Sequence, residues 1–153
     1  CTIVGGGPLE GMLRDQIHQS GLEGKVELCG YVNQTDMPAY YANADLFVLP
    51  AVLEIHWGIP NVLIEAMASG LPFLVTPLES VNEVLVQDDV GRFVPEKDPK
   101  ASADAIMDLA QNPKELQSMG KRGRQKAVEL FDVNANAEKL KSIIEAAEEC
   151  SEN

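Results

Sequence analysis

Short β-type runs alternating with helical stretches predict an α/β domain: a parallel sheet covered by helices on both faces. Three observations carry that prediction. Residues 45–49, Asp45-Leu46-Phe47-Val48-Leu49, are near-continuously apolar and stop at Pro50, as buried strands do. Other strand-like runs end at glycines, Gly5 and Gly30. From residue 98 onward the pattern is helical.

The elements follow in order. Thr2–Val4 is a strand, followed by Gly5-Gly6-Gly7-Pro8 and a helix to about Gln19. Residues 26–29 form a second strand ending at Gly30, and 37–43 a short helix. The apolar run 45–49 is the third strand, and a loop leads from it to Gly58. Pro60 opens a helix that Gly70 stops, and Phe73–Val75 is the fourth strand. A helical turn or two at 80–86 precedes a short fifth strand at 92–94. Asp98 caps a helix before Pro99 that runs to Gln111; two more span 113–130 and about 135–149, and the acidic tail 146–153 is expected to fray.

At 153 residues the chain is expected to be one domain with its own core. A 45% hydrophobic and 24% charged composition is that of a globular protein, and no apolar run reaches the length of a membrane span. The net charge of −12 argues against nucleic acid or anionic lipid as partners, so an anionic ligand needs a local device. Cys1, Cys29 and Cys150 match no zinc or redox spacing, which favours a reducing, cytoplasmic setting. The opening Cys1-Thr2-Ile3-Val4-Gly5 reads as a strand without initiator Met or cap, so the chain is expected to continue a longer protein.

One acid stands out. Glu65 is flanked by Val62, Leu63, Ile64, Ala66, Met67 and Ala68, and burying a carboxylate demands a partner. With Pro60 in the first turn, the N–H groups of Asn61, Val62 and Leu63 lack intrahelical acceptors at the positive end of the dipole. Asn61 and Glu65, four apart, share a face. A ligand with phosphate at the helix tip and a vicinal diol one turn deeper fits both, and a nucleotide is such a ligand. A structural Glu paired to backbone or Arg is the bland alternative. Ligands of open α/β sheets bind beyond the strands' carboxyl ends, which selects the loops at 5–8, 30–33, 50–58 and 76–82.

Other candidates are weaker. Gly5-Gly6-Gly7-Pro8-Leu9-Glu10-Gly11 is neither a dinucleotide fingerprint nor a P-loop; it serves a tight strand-to-helix turn or lets backbone approach a ligand closely. Tyr31 and Val32 follow Gly30 and could offer backbone groups to a base, or form a plain strand end with a packed Tyr. Glu54 and His56 form an acid/base pair or solvated loop residues; Trp57 packs or stacks on a sugar or base. Glu79 reads as an ordinary helix-start acid near Asn82 and Glu83. The basic run 121–126 reads as a solvated helix face, and His18 as a lone histidine without a partner.

Gly58-Ile59-Pro60-Asn61-Val62-Leu63-Ile64-Glu65-Ala66-Met67-Ala68-Ser69-Gly70-Leu71-Pro72 resembles the signature of retaining glycosyltransferases of the GT-B fold, group 1 (family 4). Ile3-Val4-Gly5-Gly6-Gly7-Pro8, the 26–32 strand and turn, Tyr40 to Pro50, Glu83-Val84 and Gly91 to Pro95 are similar to further family elements. The resemblance implies a Rossmann-like half of a GT-B fold with a helical C-terminus, residues 1–153 being the C-terminal donor-binding domain and the acceptor domain preceding it. It implies base contacts from the backbone of Tyr31 and Val32, ribose contacts from Glu65, diphosphate contacts from Asn61, Val62 and Leu63, and no catalytic metal or cofactor. The implied donor is a UDP-, GDP- or ADP-sugar, with Gly7, Trp57, Glu79 and Ser80 as a possible donor-sugar rim.

Three departures qualify it. The family has a second glutamate before the one matching Glu65, with seven residues between the two. Counting back gives Trp57; counting forward from Leu49-Pro50 gives Glu54, which is preferred because loops absorb insertions. The family's glycine pair is Glu79-Ser80 here, and its diphosphate-binding Arg and Lys would precede Cys1. The expected activity is sugar transfer to a glycan or lipid-linked acceptor, absent from this chain without its N-terminal domain, with the full-length protein at the inner membrane face. A catalytically degenerate nucleotide-sugar binder, or an epimerase of the same fold, is the alternative.

Overall fold

The structure, a computed structural model, describes residues 1–52, 58–82, 85 and 90–151. The chain divides into two compact units, Cys1–Ala42 and Asn43–Asn153.

The first unit contains β1 (Thr2–Val4), α1 (Glu10–Gln19), β2 (Glu27–Gly30) and α2 (Met37–Ala42). β1 and β2 are parallel, with Thr2 beside Glu27 and Ile3 beside Leu28. The register shifts before Val4, which pairs with Gly30. Beyond the strands the Gly5 N–H donates to the Gly30 carbonyl at 2.8 Å. Tyr41 alone in this unit is buried. A hydrogen bond with Cys29, then the charges of Cys29, Glu27 and Asp36, raise the Tyr40 phenol above its ordinary value. His18 does have a partner: its Nδ1 lies 2.5 Å from Glu23 Oε1, across the turn that ends α1. Sequence spacing hid this pair because Glu23 lies beyond the helix, and both side chains are exposed.

The second unit contains β3 (Phe47–Leu49), α3 (Asn61–Ala68), β4 (Phe73–Val75), α4 (Glu79–Asn82), β5 (Gly91–Phe93), α5 (Pro99–Gln111), α6 (Pro113–Phe131) and α7 (Val133–Ser151). Its sheet has the order β3-β4-β5, all parallel. Among the described residues the strand pairings, β1-β2 in the first unit and β3-β4-β5 in the second, are all parallel, as the expected α/β class requires. Hydrophobic patterning marks a run as extended and buried; it does not say which neighbour takes its hydrogen bonds.

β4 is the central strand, and its three side chains are all buried, as a strand covered on both faces requires. Phe73 and Val75 face one core cluster with Leu63 and Met67 of α3, Leu78, Val81 and Ala127 of α6. Leu74 faces the other, with Val94, Leu109 of α5 and Met119 of α6. Burial of each Val, Leu, Met or Phe among them contributes about 1.5–3 kcal/mol. Helices thus cover both faces of this sheet.

The punctuation works as the sequence suggests. Asp98 caps α5, its Oδ1 accepting from the Ala101 N–H at 2.8 Å. Asp132 does the same for α7 through Ala135, which starts that helix at Val133 rather than 135. The tail expected to fray is helical through Ser151. Gly70 ends α3 at φ +81°, a left-handed conformation that a side chain would strain. Its N–H donates to the Met67 carbonyl, and that of Leu71 to Ala66, closing a Schellman turn into β4.

α6 packs against this turn. A Cβ on Gly120 would lie 2.1 Å from the Gly70 carbonyl oxygen, so only glycine permits this approach. The basic run 121–126 is divided by helical geometry: Gly123 is buried, while Arg122 donates to Ser118 Oγ and Glu115 Oε1 along α6 itself.

Candidate functional site: a helix tip at the carboxyl edge of a parallel sheet

β3 and β4 are parallel, so both release their loops at one edge. β3 exits through Pro50 and Ala51, and β4 through Thr76. Thr76 is 2% exposed, and its Oγ1 donates to the Ala51 carbonyl at 2.8 Å. The Thr76 N–H reaches the Leu49 carbonyl at 3.4 Å. Thr76 was not among the sequence candidates. The available signal was a polar residue closing an all-apolar strand at its carboxyl end.

α3 starts from this edge. Pro60 is the N-cap, extended at φ −62° and ψ 128°, rather than a first-turn residue. The position before the first helical residue lets its carbonyl turn into the helix. That carbonyl accepts from the Leu63 N–H at 3.0 Å, so one of the three expected free donors is engaged. Among the described residues no carbonyl accepts from the N–H groups of Asn61 and Val62. These two remain at the positive end of the dipole, available to an anion.

Leu63, Ala66 and Met67 are the buried side of α3. Asn61 and Glu65 lie about 40° apart around the helix, on the side away from Leu63. Their expected shared face is thus present. The expectation that Glu65 is buried among its apolar neighbours is corrected: Glu65 is half-buried, while Asn61, Val62 and Ala68 are exposed. An apolar sequence neighbourhood overstated burial because only one side of the helix meets the core. A carboxylate in this setting is partly shielded from water yet reachable by a ligand.

The β4 exit loop leads to Glu79, exposed at the start of α4, and to half-buried Ser80. Leu63 of α3, Ala51, Val75, Leu78 and Val81 share one core cluster, which anchors the helix tip and both exits on the same packing. Glu54, His56, Trp57 and Glu83, and with them both registers for the second glutamate, lie outside the described residues.

In the first unit, the Gly5–Gly30 bridge ties the two strand exits together. A Cβ on Gly6 would lie 3.9 Å from the Tyr31 backbone nitrogen, so the glycine loop runs beside the Tyr31 backbone. Tyr31 is 88% exposed, which overturns the packed-Tyr alternative. Val32 is half-buried and Gly7 exposed. Gly7 directs its carbonyl to the Glu10 N–H at 3.1 Å, at the start of α1.

The profile of a family described as "Glycosyl transferases group 1" matches residues 1–126. The chain belongs to the glycosyltransferase group 1 family. This group 1 chain is 35% identical over 148 residues to the putative colanic acid biosynthesis glycosyltransferase WcaL of Escherichia coli K12, covering 94% of the chain and 36% of the relative. It is 31% identical over 147 residues to the amylovoran biosynthesis glycosyltransferase AmsK of Erwinia amylovora, with the same coverages, 94% and 36%. The chain therefore spans about a third of the length of these relatives. Among solved structures, Anabaena Alr3699/HepE in complex with UDP superposes with a TM-score of 0.83 at 19% identity, over 95% of the chain and 40% of that protein. The group 1 assignment agrees with the observed α/β architecture, its parallel sheets and its helical C-terminus, the fold of one half of a GT-B glycosyltransferase. Among the described residues no helix is long and apolar enough to cross a membrane.

Proposed function

We propose that this group 1 chain is the C-terminal, donor-binding domain of a retaining glycosyltransferase that moves a hexosyl group from a nucleotide diphosphate to a glycan or lipid-linked acceptor. One observation supports this best: two N–H groups without helical acceptors sit at the tip of α3, with half-buried Glu65 one turn deeper on the Asn61 face. In this reading the helix tip holds the diphosphate and Glu65 accepts from the ribose hydroxyls. The backbone at Tyr31 and Val32 serves the base, and Glu54 touches the donor sugar. As the sugar–oxygen bond breaks, charge grows on the diphosphate, where the helix dipole is most favourable. The domain works without metal or cofactor, in the cytoplasm, and needs its N-terminal domain for transfer. HepE, solved with UDP and with UDP-glucose, supports a sugar nucleotide as ligand. WcaL and AmsK, named for polysaccharide biosynthesis, support a glycan product.

Titration of the full-length protein with UDP, GDP and ADP tests the proposal. Wild type binds one of them, and Glu65→Ala weakens that binding by about 10- to 100-fold, the loss of one or two hydrogen bonds to a charged acceptor. Failure of every nucleotide to bind overturns the reading. Glu79-Ser80 in place of a glycine pair favours a second reading, a nucleotide-sugar binder that does not transfer; nucleotide binding with no turnover of any donor selects it.

A further inference from the structure

We infer that the Tyr31 ring is a stacking platform for the base of the nucleotide, set beside an open stretch of bare backbone that takes the base's edge. The inference rests on the proposed function and deepens it: in that reading the backbone of Tyr31 and Val32 meets the base, and here the side chain acquires a role of its own. Every residue that carries it lies in the first unit, Cys1–Ala42.

A single exposed apolar group is ordinary at a protein surface. Tyr31 differs in degree and in setting. It is 88% exposed, whereas every other aromatic side chain among the described residues is buried or half-buried. Among the described residues its ring meets no other ring and its hydroxyl makes no hydrogen bond. A large flat group is thus left in water by the unit that carries it.

The setting is a gap in the side-chain cover. Tyr31 follows the carboxyl end of β2, where Gly30 turns the chain at φ +64°. The glycine loop after β1 runs alongside, tied there by the Gly5 N–H, which donates to the Gly30 carbonyl at 2.8 Å. A Cβ on Gly6 would stand 3.9 Å from the Tyr31 nitrogen, and one on Gly5, Gly7 or Gly30 would meet nothing within 4 Å. Four glycines around one amide therefore leave open space where side chains would stand. Among the described residues the N–H groups of Tyr31 and Val32 reach no acceptor. A heterocycle with an acceptor on its edge can take those donors from water.

Ring and amide share one Cα, so a base whose edge meets the Tyr31 N–H lies within a side chain's length of the ring. Two torsions bring the ring onto it, and a tyrosine loses little rotamer freedom in doing so. Every base presents a flat face, so stacking tolerates all of them. The ring adds affinity, and the choice of base falls to the backbone edge. The proposed ribose and diphosphate contacts come from α3, so they remain when the ring is lost.

The test titrates the full-length protein with UDP, GDP and ADP and follows Kd for whichever of them wild type binds, beside the urea denaturation midpoint. Tyr31→Ala is expected to weaken that binding about tenfold, the value of one base–aromatic stack. Its midpoint is expected to match wild type, because the side chain is exposed. Tyr31→Phe, which keeps the ring, is expected to restore binding to within about twofold of wild type, and Tyr31→Leu, apolar but not flat, to fall with the Ala variant. Unchanged affinity in Tyr31→Ala overturns the stacking role. So does a loss in Tyr31→Phe equal to that in Tyr31→Ala, which points to a hydroxyl bond, or full affinity in Tyr31→Leu, which points to an apolar contact of any shape. A midpoint that falls together with affinity in Tyr31→Ala overturns it too, since the ring then packs against another part of the protein. Each of these results leaves the proposed function standing. A wild type that binds none of the three nucleotides overturns the proposed function, and this role with it.

Discussion

Glu65 and Gly120 show how differently single residues act in this domain. Glu65 is half-buried on the side of α3 away from Leu63, so its replacement is expected to change ligand affinity more than stability. A small shift in denaturation midpoint for Glu65→Ala, beside a large difference in nucleotide affinity, is the expected pair of results. Gly120 is the opposite case. A methyl there meets the Gly70 carbonyl oxygen at 2.1 Å, and a backbone atom cannot rotate aside. Gly120→Ala is expected to destabilise by about 1–3 kcal/mol in urea titration, as overpacking does. Gly123, three residues on and also buried, has its nearest neighbours at 3.8 Å. Gly123→Ala is expected to be neutral or to stabilise by up to about 1 kcal/mol, the helix-propensity gain of Ala over Gly. If both variants lose stability alike, the close approach of α6 to the α3–β4 turn is wrong.

At the scale of elements, α3 depends on how it is entered. Gly58 adopts φ +89° two residues before the Pro60 cap. Gly58→Ala is expected to cost about 1–2 kcal/mol through left-handed strain. It is also expected to weaken nucleotide binding although Glu65 is intact, because the helix tip is displaced with the chain that feeds it. An Ala variant that retains both stability and affinity contradicts this. The cap on α5 gives a control without functional consequence. Asp98→Ala loses the 2.8 Å bond to the Ala101 N–H and is expected to cost about 1 kcal/mol while nucleotide affinity is unchanged.

At the scale of the molecule, burial is uneven. The sheet β3-β4-β5 has core on both faces of its central strand, whereas in residues 1–42 only Tyr41 is buried. Backbone amides of β4 are therefore expected to exchange most slowly in this chain, with those of β1 and β2 exchanging through smaller openings at lower free energy. Hydrogen exchange in increasing urea measures this; protection of β1 equal to that of β4 would show one cooperative unit.

The sequence by itself determined the element order, most boundaries to within two residues, the caps at Asp98 and Gly70, and the shared face of Asn61 and Glu65. Each of these is local: a few neighbouring residues, their backbone preferences and a helical or extended repeat suffice. It also carried the family resemblance, through motifs spread along the chain. The tertiary structure alone decided which strands pair, that Glu65 is half-buried, that the Leu63 N–H is engaged, and that His18 meets Glu23. It alone revealed the Thr76 bond to Ala51 and the seat of Gly120 on Gly70, contacts 25 and 50 residues apart in the chain. Such contacts depend on which surfaces meet after folding, and no local preference of Thr or Gly encodes the partner.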